Sequence, residues 1–252
     1  MIDTHCHLND AKFDNDVDLV IDRFTSSGVE SVVCVGWDFK SSVKAREIAD
    51  LNENVYYAVG VHPDECDDYN PFEMEDLLRL KSNKLVAVGE IGLDYYHNKE
   101  NKFRQMEVFE SQISLANKYK LPIIIHCREA FGDMLTILKK YAPFRYGAVM
   151  HCYSGSLEYA KEIIKLGLKI SFTGSVTFKN ATNLQEVAKN IPLDSFFFET
   201  DSPYLTPEPN RGKRNEPANV FDIAKAVAKL KDADEEKLIE TTDENAKKFF
   251  HI

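Results

Sequence analysis

Eight short apolar runs recur along the chain: Ile2 to His5, Ser31 to Gly36, Val55 to Gly60, Leu85 to Glu90, Pro122 to His126, Gly147 to His151, Leu168 to Phe172 and Ser195 to Thr200. Between them lie segments with helical spacing of apolar residues, such as Phe103, Met106, Phe109, Ile113 and Ala116, or Leu135, Leu138 and Tyr141. Strand-sized runs alternating with helix-sized ones imply βα units, so the sheet is expected to be parallel. Runs such as Ile123-Ile124-Ile125 and Phe196-Phe197-Phe198 are continuously apolar, as strands covered on both faces must be. Eight units predict an α/β fold, a single-domain TIM (β/α)8 barrel over residues 1–252. After the eighth run come a polar loop, Thr206 to Pro217, a helical pattern through Val220, Ile223, Val227 and Leu230, and a last segment from Glu235 to Phe250. An open, doubly wound sheet is the alternative, but no G-x-G-x-x-G follows the first run.

The polar residues that end these runs carry the functional signal. His5, His7, Glu90, His126, His151 and Asp201 end five different runs, and a parallel barrel gathers the C-terminal ends of its strands at one rim. His5 and His7 are two apart, so on an extended strand they leave the same face and can grip one ion. Imidazole and carboxylate together suit magnesium, manganese or zinc, and a binuclear centre of two divalent ions per subunit is expected. A carboxylate at the end of an apolar strand, as Glu90 is, is costly to bury without a cation. Glu199 lies two residues before Asp201 and competes with it as a ligand, since on an extended segment the two would share a face. His62 follows the third run and is a candidate to bind phosphate or polarise a leaving group, with a hydrogen-bonded rim histidine as the plainer reading. Arg128 has the fork geometry for phosphate, or pairs with Glu129 or Glu90. Arg211, Lys213 and Arg214 form a loop cluster that reads as solvated charge or as a phosphate-backbone contact. Tyr95, Tyr96, Tyr153 and Tyr204 are candidates to stack bases, or simply to pack at the rim.

Composition narrows the partners. A net charge of −10 and a pI near 5.2 argue against a broad basic face for duplex DNA, although bound cations would make the cleft locally positive. No apolar stretch reaches the roughly 18 residues of a membrane span, and no leader-like segment opens the chain, so a cytoplasmic protein is expected. Five cysteines without a C-x-x-C pair fit reduced thiols. Cys6, Cys127 and Cys152 each follow a proposed ligand and should point away from it.

The motifs D-T-H-C-H-L, G-V-H-P-D, G-E-I-G-L-D-Y-Y, H-C-R-E-A, H-C-Y-S-G-S, E-T-D-S-P-Y-L and R-G-K-R-N-E-P occur in this order from end to end. In this the chain resembles the TatD-type metal-dependent deoxyribonucleases of the amidohydrolase superfamily. The resemblance implies metal ligands at His5, His7, Glu90, His126, His151 and Asp201, with Glu90 spanning the two ions. It further implies 3′ to 5′ cleavage of DNA phosphodiester bonds, single strands or frayed ends being preferred. A metal-activated water would attack and Asp201 would accept its proton. An amidohydrolase acting on an amide, lactone or small phosphoester, and a non-catalytic scaffold barrel, are the alternatives. No stable protein partner is implied.

Overall fold

The computed structural model describes residues 1–252 as a (β/α)8 barrel. Its strands are β1 (Ile2–Cys6), β2 (Ser31–Val35), β3 (Val55–Val59), β4 (Leu85–Asp94), β5 (Ile123–Arg128), β6 (Ala148–Met150), β7 (Lys169–Phe172) and β8 (Phe196–Phe198). Each pairs in parallel with the next in sequence order, as the alternation of runs predicts. β8 has only three residues, and the ring closes beyond it. His7 N donates to Ser202 O at 2.7 Å, Asp201 N donates to His5 O at 2.9 Å, and Asp3 accepts from Thr200 N at 2.8 Å.

Around the ring run α1 (Val17–Ser26), α2 (Phe39–Leu51), α3 (Pro71–Arg79), α4 (Lys102–Tyr119), α5 (Phe131–Tyr141), α6 (Leu157–Lys165), α7 (Thr182–Asn190), α8 (Val220–Lys231) and α9 (Glu235–Phe250). The larger hydrophobic cluster fills the layer between strands and helices. A smaller one lines the barrel: Ile2, Val33, Val35, Ala58, Val86, Ile124, Val149 and Phe197 meet Ala246 and Phe250 of α9. Phe249 and Phe250 stand 5.2 and 5.9 Å from the Phe197 ring, and the α9 carboxylate of Asp243 binds the N-terminal ammonium at 3.1 Å. α9 therefore plugs the end of the barrel where the strands begin. Along each strand the interior position recurs every second residue, so Val33 and Val35 point on to Trp37, Ile124 to His126, and Val149 to His151. Apolar residues fill the bottom and polar ones emerge at the top.

Two expectations need correction. β4 runs four residues past Glu90 to Asp94, because a register shift between Val88 and Ile91 restarts its pairing with β5. Phe103, expected on the buried face of α4, is 76% exposed, while Phe109, Ile113 and Ala116 are buried as predicted. No helix is long and apolar enough to cross a membrane.

Candidate active site

Six of the strand-end residues converge at the open mouth. His5 Nε2 and His7 Nε2 are 3.2 Å apart. Glu90 Oε2 lies 3.5 Å from the first and 3.8 Å from the second, and Asp201 Oδ1 lies 3.8 and 3.4 Å from them. Glu90 Oε1 faces the other way, 2.8 Å from His126 Nδ1 and 2.6 Å from His151 Nε2, which are 3.3 Å from each other. One carboxylate thus divides its two oxygens between two groups of imidazoles. Donors around a single tetrahedral ion stand about 3.3 to 3.6 Å apart, close to the 3.2 to 3.8 Å spacing of the first group, while the second group is tighter, at 2.6 to 3.3 Å.

The backbone explains how Glu90 gets there. A Cβ on Gly89 would sit 2.5 Å from Ile124 Cβ, and one on Gly92, at φ +150°, would sit 2.0 Å from His126 O. Only glycine allows β4 to lie this close to β5 while Glu90 turns inward. Asp201 adopts φ 54°, a left-handed conformation uncommon outside glycine, and is held in it by hydrogen bonds to His5 O and from Tyr204 N.

The proton inventory shows what the cluster lacks. His7 Nδ1 lies 2.9 Å from Val35 O, which can only accept, so its proton is on Nδ1 and its Nε2 lone pair faces Asp201 and Glu90. His126 lies between two carboxylates, Nε2 3.0 Å from Asp94 Oδ2 and Nδ1 2.8 Å from Glu90 Oε1, and a neutral imidazole can donate to only one of them. His5 is buried with Nδ1 unpartnered, and the only acceptor near the buried His151 Nδ1 is Glu199 Oε1, at 3.5 Å. The centre is therefore crowded with acceptors and needs positive charge. Burial alone would raise the Glu90 pKa, but His151, His126 and His5 outweigh it and hold the carboxylate well below the ordinary range. Burial opposes charging His7 and His126, yet Asp201 and Glu90 raise the pKa of His7, and Asp94 and Glu90 raise that of His126. No lysine or arginine reaches Glu90 or Asp201, so protons or divalent cations must fill this role, and the imidazole–carboxylate donor set fits the latter.

A cleft of about 790 Å³ opens over this centre, lined by His7, Asp10, Trp37, His62, Arg128 and Tyr204 among others. A family model described as TatD-related DNase matches residues 2–251. The chain belongs to the TatD family. The Bacillus subtilis metal-dependent hydrolase YabD is 44% identical over 100% of this chain and 99% of its own length. The 3′-5′ ssDNA/RNA exonuclease TatD of a Rahnella species is 33% identical, covering 100% of this chain and 98% of its own. Among solved structures, the TatD homolog YjjV of Escherichia coli superposes with a TM-score of 0.95 at 27% identity, covering 100% and 98% of the two chains.

The remaining predicted residues of this TatD-family chain divide clearly. His62 is in the cleft: its Nδ1 accepts from Asp64 N at 3.2 Å, so its N–H is on Nε2, 3.7 Å from Glu90 Oε1. Burial, helped by nearby His126, lowers its pKa to about 3 and keeps it neutral. Arg128 lines the cleft, pairs with neither Glu129 nor Glu90, and lies 4.0 Å over the Tyr96 ring. Tyr153 is corrected: it is 1% exposed and its hydroxyl donates to Ser156 O at 2.6 Å, because Cys152 at φ 45° ends the alternation and turns Tyr153 into the core. Arg211 and Lys213 are exposed but outside the cleft lining, Arg211 lying 4.1 Å over Phe178 and Lys213 Nζ 3.1 Å from Asn210 Oδ1. Arg214 is tied to Asp16 and Glu216. Glu199 does not share a face with Asp201: it lies behind His151, accepting from Cys152 N at 2.7 Å. Cys6 points away from the centre as expected, its Sγ 3.5 Å from Val33 O.

Sequence reasoning missed two residues. Asp94 is fully buried, accepts from the backbone of Tyr96 and His97 at 2.8 and 2.9 Å, and braces His126. Trp37 follows β2 by the same inward alternation that places His126, and a search for metal donors passes over an indole.

Proposed function

We propose that this TatD-family hydrolase cleaves phosphodiester bonds of single-stranded DNA from an exposed 3′ end, using two divalent cations held by His5, His7, Glu90, His126, His151 and Asp201. The observation that carries this reading is the division of the Glu90 oxygens between two groups of donors, the arrangement of a two-ion phosphodiesterase. When bound, such ions supply Lewis acidity, acidifying a water and neutralising charge on a phosphoryl oxygen.

The chain's own residues do the rest. Asp201, 15% exposed, reaches the cleft and accepts the proton of the attacking water. His62, neutral with its N–H toward the cleft, donates a hydrogen bond to a phosphoryl or leaving oxygen. Arg128, free of carboxylate partners, binds the next phosphate. Glu199 and Asp94 keep His151 and His126 oriented. The names of TatD relatives support the nucleic-acid substrate.

The test is a metal-reconstituted assay on oligonucleotides labelled at either end, with products read at nucleotide resolution. Mononucleotides released stepwise from the 3′ end of a single strand are expected. Turnover of a small phosphoester, amide or lactone with oligonucleotides left intact would overturn the substrate assignment.

A further inference from the structure

The cleft wall above His7 is aromatic, and nothing in the hydrolytic chemistry above requires it to be. Trp37 has its backbone fixed on both sides: its N–H donates to Ser41 Oγ at 2.9 Å and its carbonyl accepts from His62 N at 2.8 Å. Its half-buried indole lies 5.3 Å from the His7 ring and meets it edge-on at 80°. Tyr204, 44% exposed, lies 6.4 Å from the same ring at 69°, its hydroxyl anchored to Asp10 Oδ2 at 2.7 Å. The Lys12 ammonium stands 4.1 Å from the Tyr204 ring centre. Two restrained rings thus flank one histidine of the centre without stacking flat on it.

The wall that carries Trp37 and Tyr204 also carries Asp10, which repels phosphate but tolerates a neutral aromatic group. Arg128, on its Tyr96 platform, is the one arginine or lysine lining the cleft and stands on β5.

We propose that Trp37 and Tyr204 form a nucleobase subsite, in which an unpaired base stacks beside His7 while its phosphate lies over Glu90 and the strand continues toward Arg128. This rests on the phosphodiesterase reading and deepens it, because a base still paired in a duplex offers no free face to such a wall.

Trp37 is the only tryptophan in the chain, so its emission reports on the subsite without any turnover. Magnesium-loaded protein is titrated with dAMP and, separately, with deoxyribose 5-phosphate, which lacks the base. Quenching by dAMP alone is expected. Trp37→Ala, with binding read by calorimetry, should weaken dAMP about fivefold or more, the lower end for base–aromatic stacking, and leave deoxyribose 5-phosphate unchanged. Trp37→Phe should restore most of the loss. Tyr204→Leu, at an exposed position, provides the same comparison if Trp37→Ala misfolds. Unchanged emission with saturating dAMP, or an unaltered dAMP to deoxyribose 5-phosphate affinity ratio in the alanine and leucine variants, overturns the subsite. If oligonucleotides are still hydrolysed in that case, the proposed function stands; base-dependent quenching without hydrolysis supports the subsite and removes the nuclease reading.

Discussion

At the scale of single residues, the centre separates two acids that lie two positions apart in sequence. Asp201 faces His5 and His7 at the cleft, whereas Glu199 lies behind His151. Asp201→Asn keeps one ligating oxygen and removes the proton acceptor, so kcat should fall by roughly 10² to 10⁴ with little change in KM. Glu199→Gln should be milder. Metal content measured alongside the rates separates loss of a base from loss of an ion, and wild-type turnover by Asp201→Asn with its metal intact would refute the assignment. Asp94 makes a different prediction. A carboxylate that orients a ligating imidazole typically contributes 10- to 100-fold in metal affinity, so Asp94→Asn should release metal to a competing chelator at about that lower affinity. If affinity and rate are both unchanged, Asp94 serves only the turn that carries Tyr96 and His97.

At the scale of elements, the strands and helices are legible because each apolar run must be covered on both faces, and the last predicted segment, Glu235 to Phe250, matches α9. The convergence of six polar side chains was also legible, since parallel strands end on one rim. Apart from Trp37, what escaped lies where the two-residue alternation stops. Glu90 sits at a register shift, so the continuation of β4 to Asp94 was hidden. Cys152 and Asp201 take left-handed backbone conformations just past short strands, which sends Tyr153 into the core and parts Glu199 from Asp201. A helix pattern also says nothing of which surface it will cover: α9 could have lain on the flank but instead closes the barrel. Phe250, 2% exposed, is central to that closure. Phe250→Ala should lower unfolding free energy by about 3 to 5 kcal/mol in denaturant titration, the usual range for a buried phenylalanine. A loss below about 1 kcal/mol would mean that the barrel floor does not depend on this contact.

At the scale of the whole molecule, the proposed function requires a chain of net charge −10 to meet a polyanion with one guanidinium in its cleft. Arg128→Ala should therefore raise KM with kcat nearly constant, and flatten the salt dependence of binding by about 0.7 in log–log slope, the worth of one single-strand phosphate. Arg211→Ala and Lys213→Ala, outside the cleft, should leave KM for a dinucleotide unchanged and affect only longer strands. An Arg128→Ala protein with the wild-type salt slope would show that phosphate is held elsewhere. The plug formed by α9 extends this electrostatic picture to traffic. With the floor sealed by Phe249 and Phe250, the vessel has one door, and whatever is released must leave the way the next strand arrives. Under the proposed function, spent nucleotide and fresh substrate contend for the same vestibule, so a released mononucleotide is expected to inhibit competitively.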